Sequence, residues 1–161
     1  MTEYKRQTHR SSVPCFSSEF EMNLRPATQS DQKIIEQIVR NAGINPMSLD
    51  WHRFLISEEN GQPIGIGQIK QHGDGSRELA SIAVIPEKRG QGVASEIIRA
   101  LLARENGDVY LTCRAPLESF YNQFGFRSVG RAEMTPYFKR LHRIGNFFAR
   151  LAKTKMLVMK K

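Results

Sequence analysis

Residues 78–102 constrain the fold of this chain more than any other segment, because they predict a strand, a tight turn and a helix in direct succession. The strand covers 79–85, a run rich in Ile, Val and Ala that Pro86 ends. Two glycines follow within the turn at 89–92. The helix after the turn carries apolar residues at helical spacing, so one of its faces is expected to be buried. These residues are Val93, Ala94, Ile97, Ile98, Leu101 and Leu102.

The turn and the start of this helix predict an anion-binding site. Glycines ahead of a helix let the backbone approach a ligand closely, and the first N–H groups of a helix have no partner within it. The positive end of the helix dipole favours an anion at that point, and Arg89 adds a full positive charge. A phosphate or a diphosphate is therefore the expected ligand.

The glycine pattern separates this turn from two other nucleotide loops. A P-loop requires Lys-Ser or Lys-Thr after its glycines, and a dinucleotide fingerprint requires a third glycine where this chain has Ser95. The sequence Arg89-Gly90-Gln91-Gly92-Val93-Ala94 instead fits Arg/Gln-x-x-Gly-x-Gly/Ala. Because it follows a strand that ends Ile82-Ala83-Val84, it resembles the acetyl-CoA loop of the GNAT acyltransferase superfamily.

A second motif, at 120–126, lies some thirty residues further along the chain. The run Phe-Tyr-Asn-Gln-Phe-Gly-Phe resembles the fourth conserved block of the same superfamily. Phe120 and Phe124 are expected to face inward from a short helix, Gly125 to end that helix, and Phe126 to begin a new strand. This arrangement directs Tyr121 towards the cofactor. Two motifs in the order of the family, with one strand between them, are more specific than either motif alone.

The resemblance covers residues 22–161 and implies an α/β (α+β) fold of the GNAT type. About seven mostly antiparallel strands, flanked by helices, would form a mixed sheet whose fourth and fifth strands splay apart. Residues 1–21 are predicted to be a flexible N-terminal tail, because they are polar and lack periodicity. Asn60-Gly61 predicts a hairpin turn between strands at 52–58 and 63–71.

An amphipathic helix is predicted at 136–151, where the family usually has a hairpin. Four interpretations of this extra C-terminal helix are open. It covers the substrate cleft, forms part of a dimer interface, lies on a membrane surface, or packs on its own domain.

The resemblance implies acetyl-CoA as the acyl donor, and its binding residues are carried over position by position. The pantetheine arm would pair with the main chain of Ile82, Ala83 and Val84 as an added strand. The diphosphate would lie on the loop and the first helical turn. The residues concerned are Arg89, Gly90, Gln91, Gly92, Val93, Ala94 and Ser95.

The resemblance also implies two catalytic residues, Tyr121 and Glu78. Tyr121 would act as the acid that serves the leaving thiolate, and the alternative is a tyrosine that only packs. Glu78 would act as the base, and alternation along the strand places it on the face of Ala80 and Ile82. The alternative for Glu78 is an ion pair with Arg77 or Arg53.

Charge and composition limit the partners. The chain has 161 residues and a net charge of +8, and ten Lys or Arg side chains against one acid lie in residues 127–161. A solvated basic face is the favoured interpretation, because no motif for nucleic acid accompanies these charges, and a membrane surface is a weaker alternative. No apolar run approaches the roughly 20 residues of a membrane helix, and a cytoplasmic location is expected. The His and Cys residues show no metal-ligand spacing, so no metal is expected.

The predicted function is transfer of acetyl from acetyl-CoA to a primary amine of a small molecule or peptide. Acetylation of a protein N-terminus or lysine is one alternative, and a non-catalytic acyl-CoA-binding module is another. The sequence leaves open the acceptor, the acyl chain length, and whether the protein is a monomer or a homodimer, because segments 41–56 and 128–150 carry little pattern.

Overall fold

The computed structural model describes residues 22–151 and 155–161, and for 146–151 it describes the backbone only. The tail expected at 1–21 lies outside the described residues. The strands are β1 (Asn23–Pro26), β2 (Phe54–Glu59), β3 (Gln62–Gln71), β4 (Arg77–Val84), β5 (Tyr110–Arg114), β6 (Arg127–Ser128) and β7 (Met156–Lys160). The α-helices are α1 (Gln32–Asn41), α2 (Val93–Leu102), α3 (Glu118–Asn122) and α4 (Pro136–Leu151).

The strands form one sheet in the order β1-β2-β3-β4-β5-β7-β6. Every neighbouring pair is antiparallel except β4 and β5, which are parallel. These two strands share a single register pair, Glu78 with Tyr110, and separate beyond it. The predicted mixed, seven-stranded sheet that splays between its fourth and fifth strands is therefore confirmed.

Glycines allow the tight turn between β2 and β3 and the close packing of α2 on β3. Asn60 and Gly61 have φ angles of 51° and 73°, which is the left-handed turn expected between β2 and β3. A Cβ atom at Gly65 would lie 2.7 Å from Val93 Cγ1, and one at Gly67 would lie 2.5 Å from Ile82 Cδ1. Because β3 lacks side chains at these points, α2 packs directly on its backbone.

Helices cover both faces of the sheet. Ile97, Ile98 and Leu101 of α2 belong to the larger core cluster, together with Leu55 and Leu111 from the sheet. On the opposite face, the apolar stripe of α1 forms a second cluster with β2 and β3. Its buried members include Ile35, Ile38, Val39, Ile56 and Ile66. The helix α2 therefore buries the apolar face that its sequence pattern predicts.

A buried carboxylate fixes the chain between β1 and α1. Asp31 accepts hydrogen bonds from Arg25 Nη1 at 2.8 Å and Nη2 at 3.0 Å, and also from the Thr28 backbone N–H and hydroxyl, each at 2.7 Å. Arg25 holds the pKa of Asp31 well below its usual range. The pair joins the edge strand to the first helix.

The helix α4 spans the predicted residues and packs on the same domain. Phe138 is fully buried in a third cluster with Tyr110 and Val158. A Cβ atom at Gly145 would overlap Met156, so the helix and β7 are in close contact. Within the described residues, no helix is both long and apolar enough to cross a membrane.

Candidate active site

The separation of β4 from β5 opens a cleft of about 450 Å³. The cleft is walled by β4, β5, the start of α4 and the segment after α1. Its lining includes Lys70, Glu78, Ser81, Thr112, Tyr121 and Tyr137. The two residues expected to be catalytic, Glu78 and Tyr121, therefore line the same cavity, although 43 positions of sequence separate them.

A β-bulge in β4 changes which side chains face this cleft. Ser81 has a φ of 55°, and the register with β3 shifts by one residue beside it. As a result Leu79 and Ile82 both pack into the cluster that contains α2. The expectation that Ile82 shares a face with Glu78 is wrong, because strict alternation fails at the bulge. Gln68 Nε2 donates to Ser81 Oγ at 2.9 Å and supports this strained residue.

The loop between β4 and α2 has the geometry of an anion site. Gly90 and Gly92 have φ angles of 75° and 86°, and in the described part of the chain no side chain caps the first turn of α2. The side chain of Val93 is buried, so this residue can offer a ligand only its backbone. Arg89 is exposed and its Nε donates to the Val84 carbonyl at 3.2 Å. A Cβ atom at Gly90 or Gly92 would meet nothing within 4 Å, so the space beside this turn is open to a ligand.

Three of the expected donor-binding residues are now placed on the separating edge of β4. Ala83 buries its side chain in the cluster with α1, whereas Val84 is half-buried. Ile82 borders the cleft, although its side chain packs against the cluster that contains α2. Because β4 pairs with β5 only at Glu78, no strand among the described residues pairs with the main chain of 82–84 on the cleft side.

Tyr121 lies on α3 and is half-buried. Its ring meets Phe120 and Phe126 edge-on, with centroids 5.1 and 6.2 Å away. Burial raises the pKa of Tyr121 to about 12, and the neighbouring Cys113 adds a smaller effect in the same direction. The phenol is therefore protonated at all physiological pH values, and it is a hydrogen-bond donor rather than a strong acid.

Glu78 is 7% exposed and makes a contact that the sequence analysis did not anticipate. Its Oε2 lies 2.9 Å from His72 Nε2, and its Oε1 lies 3.5 Å from Thr112 Oγ1. The alternative pairing with Arg77 or Arg53 is wrong. The Arg77 guanidinium pairs with Glu105 instead, and Arg53 pairs with Asp50. Glu78 instead forms a buried pair with a histidine.

The helix α4 holds His72 in place. The ring of Tyr137 stacks on the His72 ring with centroids 3.5 Å apart, and Phe138 meets it edge-on at 5.9 Å. Asp74 Oδ2 also accepts the Tyr137 backbone N–H at 2.8 Å. The turn after β3 and the start of α4 are thus bound together beside the cleft, and α4 supplies part of its wall.

Cys113 is buried against Met159, with its Sγ 3.7 Å from Sδ, and burial raises its pKa to about 11. A thiol in this state is a poor nucleophile. In the described parts of the chain, no group of three or more His, Cys, Asp or Glu side chains could hold a metal ion.

Two polar residues beside Glu78, His72 and Lys70, are not among the site residues predicted from the sequence. A signal was present, because Gln68, Lys70 and His72 alternate along a strand that should otherwise be apolar. Such alternation in a central strand indicates a polar face, and Lys70 of this face lines the cleft.

Comparison with a family model decides the classification. Residues 50–128 match the model described as the acetyltransferase (GNAT) domain. Residues 50–128 belong to the GNAT superfamily. The matched segment contains the strand β4, the glycine loop, α2 and Tyr121, so the GNAT model includes both sequence motifs. No curated protein sequence matches the chain.

Solved structures share this GNAT fold at low sequence identity. Rv2747 from Mycobacterium tuberculosis, in complex with CoA, is 20% identical, with 86% of this chain and 97% of that one covered and a TM-score of 0.68. A GNAT-family acetyltransferase from Bacillus cereus is 20% identical, with 88% and 96% covered and a TM-score of 0.62.

A third similar structure is N-acetylglutamate synthase from Neisseria gonorrhoeae, complexed with coenzyme A and L-arginine. It is 15% identical over 85% of this chain, with a TM-score of 0.66. This chain spans about a third (32%) of the length of that protein. At these identities the three similarities show the fold.

Proposed function

We propose that this protein transfers an acetyl group from acetyl-CoA directly to the primary amine of a small molecule or peptide. The observation that supports this most strongly is the cleft where β4 and β5 separate, because Tyr121 and Glu78 line it together. A proton donor and a proton acceptor are what direct transfer from a thioester to an amine requires. The presence of CoA in two structures of similar fold supports the choice of donor.

The unpaired edge of β4 accounts for binding of the pantetheine arm. An extended ligand can add to an exposed strand edge through main-chain hydrogen bonds, and Ile82, Ala83 and Val84 offer such an edge. Arg89 must release the Val84 carbonyl for the arm to bind there. The same side chain then becomes available for the phosphates.

The loop at the start of α2 accounts for binding of the diphosphate. Gly90 and Gly92 give the turn its positive φ angles just before α2, and the N–H groups of residues 90–95 would bind the diphosphate there. Gln91 helps to fix the loop, because its Nε2 donates to the Glu87 carbonyl at 3.0 Å. Val93, Ala94 and Ser95 contribute their backbone N–H groups.

Tyr121 serves the leaving group. The amine nitrogen attacks the thioester carbon, the carbon–sulfur bond breaks, and its electron pair stays on sulfur. A phenol of pKa about 12 is a much weaker acid than an ordinary thiol of pKa about 8.5. Tyr121 therefore stabilises the thiolate by donating a hydrogen bond. The acetyl oxygen is stabilised by backbone N–H groups near the bulge in β4.

Glu78 takes up the proton that the amine must lose, either directly or through a water molecule. His72 Nε2, 2.9 Å away, holds the carboxylate in a fixed orientation towards the cleft. Stacking of His72 on Tyr137 keeps the imidazole in place. Orientation of a base by a second residue is a common feature of proton-transfer sites.

A panel of primary amines with acetyl-CoA tests this function, with free CoA measured by a thiol reagent and acetylated product by mass spectrometry. We expect release of CoA that depends on the amine, with one acetylated product for each equivalent of CoA. Saturable binding of acetyl-CoA without amine-dependent release would contradict the enzyme and favour the non-catalytic module.

A further inference from the structure

Lys70 is a buried cation that lines the cleft. The residue is 8% exposed, and its Nζ donates to the Met47 carbonyl at 2.9 Å. Among the described residues, no carboxylate lies within ion-pair distance of this ammonium group. Burial lowers the pKa of Lys70, while the negative charge of Glu78 opposes that effect less strongly. One carbonyl is little compensation for a buried positive charge.

The nearest acid does not neutralise Lys70. Lys70 and Glu78 are direct partners in the β3–β4 register, so their side chains point to the same face from Cβ atoms about 5 Å apart. The oxygens of Glu78 are directed to His72 and Thr112 instead. The floor of the cleft therefore offers a cation and an anion side by side.

We propose that the acceptor is a small amino acid whose carboxylate pairs with Lys70 while its amine faces Glu78. This inference rests on the proposed function. Because the two side chains leave the sheet from paired positions, an acceptor whose amine and carboxylate lie close together, as in an α-amino acid, suits them best. A single ammonium group balances the one charge of a carboxylate, whereas a phosphate dianion would require more positive charge.

Lys70 also has a structural contact, which the test must separate from the proposed one. Its bond to Met47 tethers the segment between α1 and β2, and Gln68 Nε2 tethers the same segment through the Ser48 carbonyl at 3.4 Å. Lys70→Met removes the charge and keeps most of the volume. Lys70→Arg keeps the charge, and Gln68→Met loosens the tether without any change of charge.

The experiment compares L-α-amino acids with their primary amides as acceptors, using CoA release to measure kcat/KM. For the wild type we expect the acid to exceed its amide by about 30-fold or more, which is typical for loss of a partner from a buried charge pair. Lys70→Met should abolish this preference, mainly through KM. Lys70→Arg should retain the preference for the acid in part. Gln68→Met should lower kcat/KM for the acid and for the amide by the same factor.

Binding provides a readout that does not depend on turnover. Calorimetry of the amino acid in the presence of CoA should show binding to the wild type and at least about 30-fold weaker binding to Lys70→Met. Thermal melting of each variant confirms that it is folded.

The possible failures are distinguishable. Equal use of acid and amide by the wild type, or a preference that survives in Lys70→Met, would overturn the role of Lys70 and leave the acetyltransferase intact. Preference for an aminoalkylphosphonate over the carboxylate would overturn the choice of anion. Absence of both amine-dependent CoA release and amino acid binding would overturn the proposed function together with this inference.

Discussion

Replacing Tyr121 with Phe removes one hydroxyl group from the cleft and little else. The ring packs edge-on against Phe120 and Phe126, and a phenylalanine ring can keep both contacts. Since Tyr121 lines the cleft and its Oη makes no hydrogen bond within the described residues, loss of the hydroxyl should change the free energy of unfolding by less than about 0.5 kcal/mol. Any large effect should therefore appear in catalysis.

The expected loss of rate follows from the strength of one hydrogen bond to a charged acceptor. Such a bond contributes about 1.5–3 kcal/mol, so kcat should fall by about 10- to 150-fold. A full proton transfer would predict a larger loss, but a phenol of pKa about 12 does not readily protonate a thiolate. The dissociation constant for acetyl-CoA should stay within about threefold, because the bond forms only as sulfur becomes charged.

Stopped-flow or steady-state measurement of CoA release gives kcat, and calorimetry gives the affinity for acetyl-CoA. Phe120→Leu is a suitable control, because it perturbs the same helix without touching the hydroxyl. A Tyr121→Phe variant with unchanged kcat would refute the assigned role, and equal losses of rate in both variants would show that packing of α3 is responsible.

Three further outcomes are expected. Gly67→Ala should lower the free energy of unfolding in urea by about 1–3 kcal/mol, since its Cβ would lie 2.5 Å from Ile82 Cδ1. Asp31→Asn should lower the free energy of unfolding by about 2–3 kcal/mol at pH 7. This difference from wild type should shrink as the pH falls below about 4, because Arg25 holds the pKa of Asp31 low in the folded state only. Cys113→Ser should retain more than about a third of the activity, because this buried thiol of pKa about 11 has no role in direct transfer.

Local patterns made much of the fold predictable. The hairpin at Asn60-Gly61, the break at Pro86 and the glycine loop each rely on residues that favour one backbone conformation. The bounds of α4 follow from a periodic apolar stripe that starts at a proline. Of the residues that the two motifs single out, Ile82 in β4 and Tyr121 in α3 both line the cleft.

The parts that escaped prediction depend on contacts between distant residues. The bulge at Ser81 arises where β3 and β4 differ by one residue in register, which neither strand shows alone. The pairing of Glu78 with His72 and the burial of Lys70 follow from that register and from the docking of α4. A sequence pattern can place each residue on a strand, but it cannot supply the partner across the sheet.

Calorimetric titration with acetyl-CoA tests the central claim, that the turn before α2 binds the diphosphate of a CoA thioester. Gly92→Glu places an acid in that turn, and Gly61→Glu is a matched control, because both glycines have positive φ angles and open space around them. The account predicts one saturable site in the wild type and in Gly61→Glu, and at least about tenfold weaker binding in Gly92→Glu. No heat of binding in the wild type, or equal affinity in the two variants, would contradict it.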